Sequence, residues 1–178
     1  FLDPILIAAL HLRPVYFWAR ASEMPNNAKG WLFRQLHGLP IHREQEGKEH
    51  MHRNEETFQK TRNLLYGNRN SAFIAPEGNC KAEKRLRPFK TGAARLAFKM
   101  MEEKNWGIEV KILPAGVNYT YHDKFRSEVY IKLGEPISVQ SYKEAYLKDS
   151  TATVNQLTED MFHALRNQMV HVETEDED

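Results

Sequence analysis

The residues best able to do chemistry in this chain crowd into one stretch, "FIAPEGNCKAEKRLRPFKTGAARLAF", residues 73–98. An apolar run stops at Pro76-Glu77-Gly78. Lys81, Lys84, Arg85, Arg87 and Lys90 follow, and a small-residue amphipathic segment begins at Thr91. A carboxylate at a strand-to-loop junction, followed by a glycine, can hold a hydroxyl or fix a neighbouring cation, and sites in open α/β folds gather at the carboxyl ends of strands. A solvated surface turn carries the same residues, so the junction alone does not decide. The cations suit a phosphate-bearing ligand, since Arg offers a planar fork and Lys a mobile point charge. They suit anionic lipid as well, at roughly 1 kcal/mol per basic residue near such a surface. A run of charge is also commonly just a solvated loop. The loop lacks the interleaved stacking aromatics of a single-strand nucleic-acid platform.

A second candidate is "GLPIHR", residues 38–43, a short apolar segment that ends in Arg43 with His42 beside it. His42 is the right group for a base, although an isolated His or Arg after a strand is more often a surface residue. The other histidines show no convincing metal-ligand spacing. Neither a Gly-x-Ser-x-Gly elbow nor a phosphate-binding Walker loop is present.

These groups need elements to position them. Asp3-Pro4 reads as a helix start, with Asp as cap and Pro at the first helical position, and "ILIAALHL" as a short, mostly buried helix ended by Pro14. "VYFWA" is β-branched and aromatic, hence a strand. "NAKGWLFRQL" reads as an amphipathic helix, and "GLPIHR" as an extended segment leaving a turn at Gly38. Asn54 is expected to cap "EETFQKTRNLL", with Phe58, Leu64 and Leu65 on one face. "AFIA" is a short buried strand and "TGAARLAFKMMEEK" the next helix. "IEVKILPAGVNYTY" holds one or two strands around Pro114, "EVYIKLG" alternates as another, and "SYKEAYLKD" and "VNQLTEDMFHALRNQM" close the chain as helices. Alternation of strands and helices predicts an α/β fold, a single domain with a mostly parallel or mixed sheet flanked by helices. Its bounds are residues 1–172, followed by an acidic tail, 173–178.

Bulk properties narrow the classes. A chain of 178 residues with 41% hydrophobic residues can build one core. A net charge of +1 argues against a general polyanion binder, and one cysteine excludes an intrachain disulfide. No apolar run approaches the ~20 residues that span a bilayer. The chain opens without Met inside an apolar pattern, "FLDPILIAALHL", as a cut into an element would, so residues upstream are expected.

Taken in order, the pieces resemble the glycerolipid acyltransferase family typified by lysophosphatidic acid acyltransferase. "FLDP" resembles the end of the family's first block, a His, four or five residues, then Asp, with Asp3 as that Asp. "GLPIHR" resembles the second block, ending in Arg43. Residues 73–98 resemble the third, in which Phe-Pro-Glu-Gly leads to Leu-x-x-Phe-Lys-x-Gly-Ala. "VKILPAGVNY" resembles the fourth, centred on Pro114, and "LGEPISV" a common closing element. Four blocks in the right order and spacing are a far more specific signal than any one. There are departures. The third block usually reads Glu-Gly-Thr-Arg-Ser; here it is Glu77-Gly78-Asn79-Cys80-Lys81, which leaves Lys81, Arg85 or Arg87 to supply the cation. His42 stands where Asp often precedes the second-block Arg. The first-block His has no counterpart before Asp3 within the chain, and the resemblance places it just upstream of Phe1.

The resemblance implies acyl transfer from acyl-CoA or acyl-carrier protein to a hydroxyl of a lysophospholipid or glycerol phosphate, with a 1-acylglycerol-3-phosphate acyltransferase as its type. A positioned His deprotonates the hydroxyl, typically contributing ~10²–10⁴-fold, and Asp3 orients that imidazole. Arg43 holds phosphate. Glu77 and Gly78 hold the glycerol end, with Asn79, Lys81, Arg87, Lys90 and Pro114 completing the substrate-binding set. No metal or cofactor is implied, and the chain as written is expected to be inactive without its base. The lipid substrates imply peripheral contact with the inner face of a membrane and no nucleic-acid partner. Trp31, Leu32 and Phe33 are candidates to enter the interface, with Lys29 and Arg34 at headgroup depth; an amphipathic core helix is the plainer reading of that segment. The rival reading is a non-catalytic lipid-binding module of the same fold.

Overall fold

The computed structural model describes residues 3–42, 51–67, 69–78, 86–120 and 126–169. The chain divides into two compact units, Phe1–Ala75 and Pro76–Asp178. The first holds helix α1 (Asp3–Leu10), strand β1 (Val15–Arg20), helix α2 (Ala28–Gln35), strand β2 (Gly38–Ile41), helix α3 (Met51–Leu65) and strand β3 (Ser71–Phe73). Its sheet is parallel, in the order β2-β1-β3, with Phe17 opposite Gly38 and Val15 opposite Ser71. Parallel neighbours need a crossover connection, and α2 and α3 supply the helices between successive strands. Along β1, Val15, Phe17 and Ala19 are buried and alternate with half-buried residues, as the period of two requires. Phe17, Ala19 and Met24 form a small core against which Phe33 and Phe73 pack.

The α/β expectation holds, and the helix and strand types match. Four local expectations need correction: the "AFIA" strand, expected buried, is half-buried over Ser71–Phe73, and three more concern helices. First, α1 is not mostly buried: within it only Pro4 is, while Ile5 and Leu10 are exposed. This helix is apolar on every side, so its sequence selects no inward stripe, and a short helix beside one strand covers only one side. Second, α3 begins at Met51, so Asn54 lies inside the helix and does not cap it. Third, among the described side chains of α3 the buried ones are Asn54, Thr57, Thr61 and Arg62; Phe58, Leu64 and Leu65 are only half-buried. The i, i+3, i+7 spacing of a buried face is present, but polar residues occupy it, so apolar periodicity points to the neighbouring stripe.

The second unit holds helix α4 (Gly92–Glu103), strands β4 (Lys111–Ile112), β5 (Ala115–Tyr119), β6 (Val129–Leu133) and β7 (Ile137–Ser138), and helices α5 (Lys143–Lys148) and α6 (Ser150–Arg166). Its strands form two antiparallel pairs, β4 with β7 and β5 with β6. On α4, Ala94, Ala97, Phe98 and Met101 recur at helical spacing and meet Val139, Leu157 and Met161 in the main core. Pro114 divides the extended segment in two. It is buried, lacks an N–H for a ladder, and its carbonyl accepts from the Gly134 N–H at 2.8 Å. Among the described residues, no helix is long and apolar enough to cross a membrane.

Candidate active site

The second unit contains the loop on which most candidate residues lie. Glu77 and Gly78 sit in a turn that starts at Pro76, and Gly78 has φ +64°, the left-handed region that glycine enters without strain. The Lys90 N–H donates to the Pro76 carbonyl at 2.8 Å. That bond pinches the two ends of the loop together and brings Lys90 alongside the turn: a Cβ placed on Gly78 lies 3.5 Å from Lys90 Cγ. Glu77 is half-buried, Arg87 half-buried and Lys90 exposed. The returning arm is anchored by apolar side chains. Leu86 is buried, and Phe89 packs on the α4–α6 core with its ring edge-on to Phe162 at 5.2 Å. The pattern Leu86-Arg87-Pro88-Phe89-Lys90 thus alternates anchors with cations. Asn79 and Lys81 lie outside the described residues.

In the first unit, Asp3 opens α1 and lies in its first turn, where a carboxylate suits the positive end of the helix dipole. Arg43 lies outside the described residues, but the strand that leads to it is well held. Asn54 Oδ1 accepts from the His42 N–H at 2.7 Å, and Asn54 Nδ2 donates to the His42 carbonyl at 2.8 Å. Thr57 Oγ1 donates to the Pro40 carbonyl at 2.6 Å. Trp18, one of the large apolar side chains of β1, donates its Nε1–H to Thr61 Oγ1 at 3.0 Å and meets Phe58 edge-on at 4.9 Å. Among the described residues, no group of three His, Cys, Asp or Glu side chains could hold a metal ion.

Residues 1–118 match the family model described as Acyltransferase. The chain belongs to the acyltransferase family. It is 39% identical over 70 residues to glycerol-3-phosphate O-acyltransferase 1 of Saccharomyces cerevisiae, covering 39% of this chain and 9% of that protein. It is 32% identical over 113 residues to glycerol-3-phosphate O-acyltransferase 2 of the same yeast, covering 63% of this chain and 15% of that protein. It is 31% identical over 75 residues to an uncharacterized acyltransferase of Schizosaccharomyces pombe, covering 41% of this chain and 11% of that protein. The acyltransferase chain thus aligns with 9% to 15% of the length of these relatives.

Every candidate residue of this acyltransferase, from Asp3 to Pro114, falls within the matched range. The elements after it, β6, β7, α5 and α6, carry none of them. Reading for charged and catalytic types missed two features: the anchors Leu86 and Phe89, and the α3 side chains that grip the end of β2. The first were legible as apolar residues spaced between cations. The second were not, because Asn and Thr on a helix read as solvent-facing until the strand beneath them is known.

Proposed function

We propose that this acyltransferase chain carries the acceptor-binding part of an enzyme that moves a fatty acyl group from an acyl thioester, acyl-CoA or acyl-carrier protein, to a hydroxyl of glycerol 3-phosphate. The observation that carries the reading is the bond between the Lys90 N–H and the Pro76 carbonyl, which brings the Lys90 stem against the left-handed Gly78, next in sequence to Glu77, in a chain similar to two yeast proteins named for that acceptor. The relatives favour glycerol 3-phosphate over the 1-acylglycerol 3-phosphate that the sequence motifs alone suggest. In this reading Arg43, Lys81, Arg87 and Lys90 neutralise the phosphate, and Glu77, Gly78 and Asn79 meet the glycerol hydroxyls. Asp3 orients a histidine that precedes it in the family's first block. That imidazole removes the hydroxyl proton as the oxygen attacks the thioester carbonyl. A new C–O bond forms, the C–S bond breaks, and the leaving thiolate recovers the proton from the imidazolium.

The donor and the products are amphiphiles, and α2 offers a surface for a bilayer. Trp31, Leu32 and Leu36 point outward, 59%, 50% and 41% exposed. Lys29 and Arg34 flank them, with Lys29 paired to Glu23. Phe33, expected on this surface, instead packs inward against Phe17 at 6.4 Å, and Leu36 takes its place on the outer face. Over residues 3–42 the cations Arg13, Arg20, Lys29 and Arg34 stand against the carboxylates Asp3 and Glu23, which suits an anionic lipid surface.

A thiol-release assay on the whole protein, with glycerol 3-phosphate and 1-acylglycerol 3-phosphate in parallel, tests the reading. Glycerol 3-phosphate should give the higher kcat/KM, and a preference for the acylated acceptor overturns the assignment. Arg43→Ala should raise the KM for glycerol 3-phosphate by about 10- to 100-fold, the loss of a charged hydrogen bond worth ~1.5–3 kcal/mol. An unchanged KM removes Arg43 from the site.

A further inference from the structure

The inner face of α3 is built from polar side chains: Asn54, Thr57 and Thr61 hold backbone or side chain of the parallel sheet, while Arg62 binds Glu55 and Gln59 of its own helix. Asn54, Thr57 and Thr61 are all buried. Thr57 grips the Pro40 carbonyl within β2. Thr61 accepts from Trp18 of β1 while donating to the Thr57 carbonyl at 2.7 Å. Asn54 does something more specific. β2 ends at Ile41, so the peptide groups of His42 lie beyond the strand ladder. The Asn54 carboxamide accepts from the His42 N–H at 2.7 Å and donates to the His42 carbonyl at 2.8 Å. One side-chain amide thus stands in for a neighbouring strand and extends the ordered β2 backbone by one residue. Buried polar groups that are fully paired add little net stability compared with an apolar contact, but they select one geometry. A helix that only covered the sheet would be served by Leu or Ile at these positions.

We propose that Asn54 is a positioning residue for acceptor binding: its two hydrogen bonds hold both peptide groups of His42, the residue that precedes Arg43 in the chain. The inference rests on the proposed contact of Arg43 with phosphate. An Arg placed by a pinned backbone loses less freedom on binding an anion than one on a loose strand end, so Asn54 acts on acceptor affinity through Arg43.

The test uses the whole protein and compares Asn54→Ala, Asn54→Asp, Arg43→Ala and the Asn54→Ala/Arg43→Ala pair. Asn54→Asp keeps the shape and the acceptor but loses the donor, leaving two oxygens face to face at the His42 carbonyl, and it reports if the alanine variant does not fold. Each Asn54 variant should raise the KM for glycerol 3-phosphate by roughly tenfold, the size of one lost hydrogen-bonded anchor, while kcat and the KM for the acyl thioester stay within about twofold of wild type, the usual scatter between variants lacking a specific effect. In the Arg43→Ala background Asn54→Ala should add nothing, because the two act in series. A lower melting temperature with both KM values unchanged makes Asn54 purely structural and overturns the proposal. Additive effects of Asn54→Ala and Arg43→Ala overturn it too. If Arg43→Ala by itself leaves the acceptor KM unchanged, the assignment of Arg43 has failed and this inference falls with it.

Discussion

At the scale of single residues, two glycines show how differently the same residue type is used. Gly78 answers a conformational demand. Its φ of +64° puts an alanine in the left-handed region, at about 1–2 kcal/mol, while among the described residues its missing side chain faces the flexible Lys90 stem. Gly78→Ala should therefore lower stability modestly and disturb the turn that presents Glu77. Gly116 answers a demand for space. A Cβ there would stand 2.3 Å from the Gln168 carbonyl oxygen and 2.7 Å from its carbon, and the backbone that follows α6 has little freedom to retreat. Asn118 Nδ2 and Lys132 Nζ bind the carbonyls of Gln168 and Asn167, each at 3.0 Å. Gly116→Ala should destabilise by ~1–3 kcal/mol or more, larger than the Gly78 effect although Gly116 lies in an ordinary strand conformation. Thermal denaturation of the two variants checks the order, and equal melting temperatures would refute it.

At the scale of elements, α5 and the residue before it, Tyr142, make a titratable joint with α4 and α6. The Tyr142 hydroxyl donates to Asp160 Oδ2 at 2.6 Å, and the Tyr146 hydroxyl to Glu102 Oε1 at 3.1 Å. Burial, then the hydrogen bond to Asp160 and its charge, push the Tyr142 phenol up from 10.0 to about 12. Tyr146 moves up too, from burial and its bond to Glu102. A phenol raised in the folded state binds its proton more tightly there than in the unfolded chain. Its contribution is whole below pH 10 and is lost as pH climbs toward 12. The melting temperature should fall more steeply over that window in wild type than in Tyr142→Phe; parallel curves would show that the phenol does not couple to folding. The outward face of α2 makes a second prediction at this scale. Co-sedimentation with vesicles of mixed anionic and zwitterionic lipid should drop several-fold in Trp31→Ser/Leu32→Ser, whereas wild-type binding that is equal on purely zwitterionic vesicles would discount the cations.

At the scale of the whole molecule, the family match and the fold have different boundaries. The match stops at residue 118, within β5, yet the core around α4 is completed by Val139, Leu157 and Met161. Removing those three buried side chains forfeits about 5–9 kcal/mol at 1.5–3 kcal/mol each, comparable with the entire stability of a typical domain. A fragment ending at residue 118 holds every candidate site residue but should leave its part of the second unit, Pro76 onward, unfolded. Limited proteolysis of that fragment beside the full chain checks this, and protection of α4 from cleavage in the fragment would contradict it.

Much was legible from the residues alone. The β-branched and aromatic run of β1, the small-residue amphipathic α4 and the turn at Pro76-Glu77-Gly78 carry their local preferences in their side chains, and the ordered blocks of motifs anticipated the family. Local signals of this kind depend only on neighbours in the chain, which is why they survive without a structure. What only the tertiary structure decided depends on partners far away in sequence: that α3 turns polar residues inward because the end of β2 needs hydrogen-bond partners, that Phe33 faces the sheet and Leu36 does not, that a mostly apolar α1 stays only half-buried, and that Pro76 and Lys90 are tied by a backbone bond. A carboxamide at residue 54 and a peptide group at residue 42 have no relation along the chain; packing alone makes them a pair.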